Sequence, residues 1–386
     1  MQYPKIKHTI QKILTLSLAA LTLSSCGIIE MREATVEYPE TNNTAAGLLT
    51  PAARAAEDAE ERVTEFVYTD EPEDEGPVPV TFTLAGDILV DTFIISDGAR
   101  RAGAGQSYSF VRMLSGIYQN LSAADVTAGF DTTAARPKND SDPSHRIPEE
   151  MVAVLAEAGY DVLDTLAWND PAGMLQSYGI TPLSTVSEGD AGVLVAEEKG
   201  LTYAICAAGG EAFPIGAEET LANITSAAER ASLVIVLADW DDGMTHDEQC
   251  AAAYYMAEAG ADVVVGTGDT VGPVDRLATT RGSSCLVAYS LGNILSTGKQ
   301  WEDILGGILT FTATPGEDGY TVGDPILTPT VVHFTAQKQD YQIVPLSLYN
   351  DDLAASHGLS GFTAEGLKGY VRTVIPADYL PKEYRG

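Results

Sequence analysis

From residue 80 to residue 312, short β-forming runs alternate with amphipathic helical stretches. This alternation restricts the fold more than any other feature, because it demands layers of helix against sheet. Val80-Thr81-Phe82-Thr83-Leu84-Ala85 alternates and is rich in β-formers, so it predicts a strand running into Gly86-Asp87. A helix is expected over 110–120, a strand over 125–130, and a helix over 148–159 that Gly159 stops. Further strands are expected at 161–166, 233–237, 263–265, 286–289 and 308–312, and helices at 218–230 and 247–258. The runs 193–197 and 202–207 read as a hairpin across Lys199-Gly200. The later strands have fewer helices between them, which suggests mixed rather than purely parallel sheets. The expected class is therefore an α/β layered sandwich with mixed sheets.

The chain has 386 residues, 45% of them hydrophobic, enough for a sizeable core. Its 55 Asp and Glu outnumber 22 Lys and Arg, for a formal net charge of −33. Such a field repels nucleic acid and anionic headgroups, so no nucleic-acid partner is expected. Lys5, Lys7 and Lys12 precede an apolar run from Ile13 to Leu23, which ends in Leu23-Ser24-Ser25-Cys26. That pattern resembles a lipoprotein signal peptide over 1–25, with Cys26 as the lipidated residue. It implies an extracytoplasmic chain tied to the cell membrane by lipid. Residues 26–78 are acidic and weakly periodic, ending in Asp70-Glu71-Pro72-Glu73-Asp74-Glu75, and read as a self-repelling tether.

Four predicted strands end in turns carrying Asp: Gly86-Asp87, Trp168-Asn169-Asp170, Asp239-Trp240-Asp241 and Gly266-Thr267-Gly268-Asp269-Thr270. Ligand sites of open α/β sheets lie beyond the carboxyl ends of strands. If the four turns converge, their carboxylates need a cation or shared protons. Taken singly, each Asp also suits an ordinary turn or helix cap.

Several segments, in this order and spacing, resemble the CapA family of poly-γ-glutamate capsule proteins, relatives of the calcineurin-like metallophosphatases. They are Thr83-Leu84-Ala85-Gly86-Asp87, Ala124-Asp125-Val126-Thr127, Ala158-Gly159-Tyr160-Asp161-Val162-Leu163, Gly260-Ala261-Asp262-Val263 and, most specific, Tyr289-Ser290-Leu291-Gly292-Asn293. The resemblance covers residues 79–350 and leaves 351–386 as a C-terminal extension. It implies a metallophosphatase-like sandwich and a role in capsule or poly-γ-glutamate assembly or retention, with a surface polymer or an export partner.

The residues that would bind metal in that family are largely replaced. Phe130-Asp131-Thr132 stands for its Asn-Leu-Glu, and Trp168-Asn169-Asp170 for its Asn-Asn-His. Asp239-Trp240-Asp241 stands for His-Trp-Gly, and Gly266-Thr267-Gly268-Asp269-Thr270 for Gly-His-His-Pro-His. Two readings follow. One is a non-catalytic scaffold with a degenerate metal site and no cofactor. The other is a site retuned for a hard divalent cation, Ca²⁺ or Mg²⁺, built from Asp87, Asn169, Asp170, Asp239 and Asp269, because carboxylates favour hard cations where imidazole favours transition metals. Such a site would serve a hydrolase of an anionic polymer or phosphoester.

Other residues are expected to be structural. His246 opens a helix, Ser290 shapes a turn, and Cys206, Cys250 and Cys285 read as thiols, with a Cys250–Cys285 bridge an alternative.

Overall fold

The computed structural model describes residues 78–133, 147–165, 172–183, 192–210, 212–240, 243–316 and 319–385. The expected signal peptide, Cys26 and the tether up to residue 77 lie outside the described residues, as do Asn169 and Asp170.

The chain enters on β1 (Val80–Ile88), followed by helix α1 (Thr92–Arg101). Strand β2 (Val126–Asp131), helix α2 (Glu149–Ala158), β3 (Val162–Asp164) and β4 (Thr181–Pro182) come next. The hairpin β5 (Val193–Glu198) and β6 (Leu201–Gly209) then leads through α3 (Glu218–Ala228), β7 (Leu233–Asp239) and α4 (His246–Ala259) to β8 (Val263–Gly266). Six more strands follow: β9 (Val274–Ala278), β10 (Ser284–Ala288), β11 (Asn293–Leu295), β12 (Leu305–Gly316), β13 (Gly319–His333) and β14 (Gln342–Pro345). Helix α5 (Ala364–Val374) follows, and two short 3-10 turns (Ala377–Tyr379 and Lys382–Tyr384) end the described chain.

The strands form two mixed sheets. One runs β14-β13-β12-β1-β2-β3-β4, with β11 also paired to β1; the other runs β5-β6-β7-β8-β10-β9. Both mix parallel and antiparallel pairs. The expected α/β sandwich with mixed sheets is what the chain forms.

Period-two alternation in the second sheet explains the layers. Tyr203, Ile205, Leu233, Ile235, Leu237, Val263 and Val265 join the core shared with the first sheet. Their alternates Ala204, Cys206, Val234, Val236 and Val264 join a second core with Ile224 and Ala227 of α3 and Ala253, Met256 and Ala257 of α4. Both faces are covered, so these strands read as unbroken apolar runs. Phe82 of β1 meets Tyr203 of β6 edge to face at 5.3 Å, which places the face of Phe82 against the second sheet.

The amino ends of the parallel strands share one device. Asp125, Asp161 and Asp262 stand just before β2, β3 and β8. Their carboxylates accept the backbone N–H of Thr81, Thr127 and Val234 at 2.9, 3.0 and 2.8 Å, each on the neighbouring strand. Gly159 and Gly260, both at positive φ (107° and 123°), end the preceding helices. The next N–H, of Tyr160 or Ala261, returns to Leu155 O or Met256 O. The sequence Ala-Gly-x-Asp-Val therefore stops a helix and starts a strand.

Residues 351–385 do not stand apart from this body. Ala364, Leu367 and Val371 of α5, with Ile375, Leu380 and Tyr384, are buried in the core that also holds β1 and β12. Among the described residues no helix is long and apolar enough to cross a membrane.

Candidate functional site

The carboxyl ends of β1, β2 and β3 lie side by side, and a bulge decides what they present. Ala85 pairs with Gly129, yet Asp87 pairs with Phe130, so Gly86 is an extra residue in β1. A bulge re-aims the side chain that follows it. Without it, Asp87 would pair with Asp131. With it, Asp87, Phe130 and Asp164 share one register line. Phe130 lies two and four residues from Ala128 and Val126, the register partners of Leu84 and Phe82, so this line is on the face toward the second sheet.

Gly86 is also where the Tyr289-Ser290-Leu291-Gly292-Asn293 segment crosses β1. A Cβ on Gly86 would stand 2.2 Å from Gly292 O and 2.6 Å from Leu291 O. Asp87 N–H donates to Gly292 O at 2.8 Å, and Asn293 becomes the register partner of Asp87. Gly292 itself takes φ 61°, and a Cβ there would stand 2.2 Å from Leu305 O. Ser290 shapes the turn as expected: its hydroxyl donates to Thr270 O at 2.7 Å and accepts from Gly292 N–H at 3.0 Å.

This segment ties the two sheets together at one rim. Asn293 Nδ2 donates to Asp269 O at 2.9 Å. Leu291 N–H donates to Gly266 O at 3.1 Å, at the end of β8. Thr267 Oγ1 donates to Asp239 Oδ1 at 2.9 Å, at the end of β7. Trp240 Nε1 donates to Tyr289 O at 2.7 Å and lies so close to Gly266 that a Cβ there would come within 2.0 Å of it. Asp87, Asn293 and Thr267 are buried, Asp239 is half-buried and Asp269 is exposed. Of the predicted site residues, then, Asp87, Asp239 and Asp269 border a common rim, linked through Thr267 and Asn293.

The fold resemblance implies a divalent metal centre, and the described residues do not fit one. Asp87 and Asp164 flank Phe130 in register, which sets their backbones about two strand spacings, ~10 Å, apart. The ring between them is fully buried and offers no donor. Asp131, on the opposite side of the register, accepts Thr133 N–H at 3.0 Å and so shapes its own turn. Among the described residues no three of His, Cys, Asp and Glu are grouped so as to hold a metal ion. Asp87, Asp239 and Asp269 are not among any such group, and Asn169 and Asp170 lie outside the described residues.

Two of the described histidines serve elsewhere. His333 and His357 pack ring to ring at 5.3 Å beside Tyr349 and Phe334. Burial lowers both rings, His357 to about 4. His357 is further tied to Val332 O at 3.1 Å through Nε2. Such rings stay neutral and belong to the core. Cys206 and Cys285 are buried, and burial pushes the Cys206 thiol up to about 12. Cys250 and Cys285 are both free, so the alternative bridge is not formed.

Sequence reasoning missed Asp164 and Asn293 as rim residues. Asp164 sat inside an expected strand. Asn293 was quoted only as part of a motif, and its place beside Asp87 depends on β11 pairing with β1.

No family model matches the chain, and no curated relative matches it. Solved structures similar to it include a hypothetical protein from Thermus thermophilus (17% identity, 65% of this chain and 99% of that one, TM-score 0.40). A novel phosphatase from Mycoplasma pneumoniae matches at 13% identity over 66% of this chain and 95% of that one, with TM-score 0.43. A calcineurin-like phosphoesterase from Bacillus subtilis matches at 11% identity over 77% and 96%, with TM-score 0.35. At these values the likenesses concern the course of the chain and assign no activity.

Proposed function

We propose that the chain is a CapA-like surface lipoprotein that uses a metallophosphatase-like sandwich as a non-catalytic scaffold in capsule or poly-γ-glutamate assembly or retention. One observation carries the reading: Phe130 stands in register between Asp87 and Asp164, where a metal centre would need a donor. The net charge of −33 disfavours direct capture of a polyanion over the general surface. The reading therefore gives the contact to an export or anchoring partner, with the membrane reached through lipid on Cys26.

The test is hydrolysis of aryl phosphates and of poly-γ-glutamate by the purified chain with Mg²⁺, Ca²⁺, Mn²⁺ or Zn²⁺. The reading expects no turnover above that of Asp87→Ala. Metal-dependent turnover that Asp87→Ala abolishes would establish the second reading, a hard-cation hydrolase, whose support is the gathering of Asp87, Asp239 and Asp269 at one rim. Separately, Cys26→Ser should move the protein from the membrane fraction to the soluble one. A variant that stays with the membrane removes the lipid anchor from the proposal.

A further inference from the structure

The outer face of the first sheet carries a groove, away from the carboxylate rim. Phe82 and Leu84 face the second sheet, so Thr83 and Ala85, with their register partners Thr310 and Ile308, face the other way. Ile326 and Thr328 of β13 stand opposite Thr310 and Ile308 and line the groove from the sheet. Two short helical turns, Val111–Leu114 and Tyr118–Ser122, together with Val154 and Glu157 of α2 and the segment after β14, enclose a cavity of about 740 Å³.

The groove is built in advance. Met113, Leu114, Ile117 and Leu121 anchor the two turns in the core. Gly116 lies so close to β14 that a Cβ there would stand 2.2 Å from Ile343 O. Around this fixed concavity Val111 is 58% exposed, Tyr118 40% and Leu348 68%, half of the large apolar side chains exposed among the described residues. Apolar surface gathered in this way marks an interaction site.

Charge decides what can sit there. Glu157 and Glu383 are the charged residues of the lining, both acidic and exposed, and no Lys or Arg lines it. With a net charge of −33, the chain repels a second copy of itself and an anionic lipid surface, and attracts a cationic segment. Gln119, Asn120 and Thr328 offer neutral hydrogen-bonding groups to main-chain amides.

We propose that this groove docks a segment of a partner protein that has an apolar centre and Lys or Arg at its flanks. The apolar side chains cover Val111, Tyr118 and Leu348, and the cations face Glu157 and Glu383. Such docking deepens the scaffold reading above, on which it rests for the existence of a partner, and assigns that partner a surface.

Selection of a random peptide library on the immobilised full chain, counter-selected on the Val111→Ser, Leu348→Ser double variant, tests this. The expected pool has Leu, Ile, Val or Phe at its centre and Lys or Arg at its flanks. A labelled peptide from that pool should bind the double variant at least about tenfold more weakly. Glu157→Gln with Glu383→Gln should cost about threefold at low salt. All four side chains are exposed, so these variants should melt as wild type does. On wild type the peptide should slow amide exchange over 111–120 and 345–348, which needs no variant. Failure to enrich such a pool, or binding that ignores these substitutions and protects other segments, overturns the proposal. So does dimerisation or vesicle binding that the double variant abolishes, which would give the groove to a second copy or to a membrane. Metal-dependent turnover would instead remove the scaffold reading and leave all of these readouts unchanged.

Discussion

The two ends of the parallel strands carry the same residue type and use it differently. At the amino ends, Asp125, Asp161 and Asp262 each accept a backbone N–H from the neighbouring strand. These carboxylates complete the sheet, since an edge N–H left dry would cost a hydrogen bond. At the carboxyl ends, Asp87 and Asp239 sit where chain reversals, a bulge and the Tyr289–Asn293 crossing meet. Aspartate at the entry of a strand is backbone mechanics. At the exit, Asp87 shares its register line with the phenyl ring of Phe130.

The amino ends also differ among themselves. Burial would raise Asp125, but its bond to Lys199 and those from the N–H and hydroxyl of Thr81 outweigh it and hold the carboxyl below its ordinary value. Burial dominates at Asp262 and lifts it to about 6, only partly offset by the Val234 N–H and the charge of Arg281. The same motif is thus stabilised as a charge at one strand and strained as a charge at another.

The largest expected effect lies at the exit end. Gly292→Val adds a side chain at φ 61° where even a Cβ would stand 2.2 Å from Leu305 O. It should cost about 4 kcal/mol or more in urea unfolding. A loss under about 1 kcal/mol would show that the crossing does not clamp the sheets.

Next is Asp262→Asn. Between the ordinary carboxylate value and about 6, the unfolded chain is ionised while the folded chain keeps its proton. Asp262 therefore withdraws stability as pH rises through 6. The amide removes that penalty, so the variant should be more stable than wild type by about 3 kcal/mol at pH 8 and by little at pH 4. Equal destabilisation at both values would mean that the carboxylate bonds Val234 better than an amide does.

Asp125→Asn should act in the opposite sense. A carboxyl held below its ordinary value contributes above that value and is lost as pH falls. With Lys199 side chain 42% exposed, the bridge is screened, so the variant should lose only about 1 kcal/mol at pH 7 and less than that at pH 3. Thermal melts at both values decide it. The smallest effect belongs to hard cations: millimolar Ca²⁺ or Mg²⁺ should shift Tm by less than about 1 °C. A saturable rise that Asp87→Ala removes would restore a cation to the rim.

Much of the scaffold was legible in the residues. Lys199-Gly200 marks the β5–β6 turn, and both residues take positive φ (50° and 80°) as a tight hairpin requires. The apolar runs 233–237 and 263–265 are strands because both their faces are covered. Helix α1 escaped notice because Thr92–Arg101 buries only Ile94, Asp97 and Gly98. Its packing rests on Asp97, whose carboxylate binds Arg100, Arg101 and the N–H groups of Asp340 and Tyr341 from far along the chain. Strands β9 and β14 are short edges whose existence depends on the neighbour they pair with.

What the residues alone determined is local: which runs are strands, where glycine stops a helix, and where an aspartate starts a strand. These follow from period, left-handed φ and a carboxylate within reach of one N–H. What only the tertiary structure decided is which way Asp87 turns and what it meets. That depends on one extra residue in β1, visible only against β2, and on a crossing segment some two hundred residues later in the chain. Register and crossing are relations between distant segments, so no single stretch of sequence contains them.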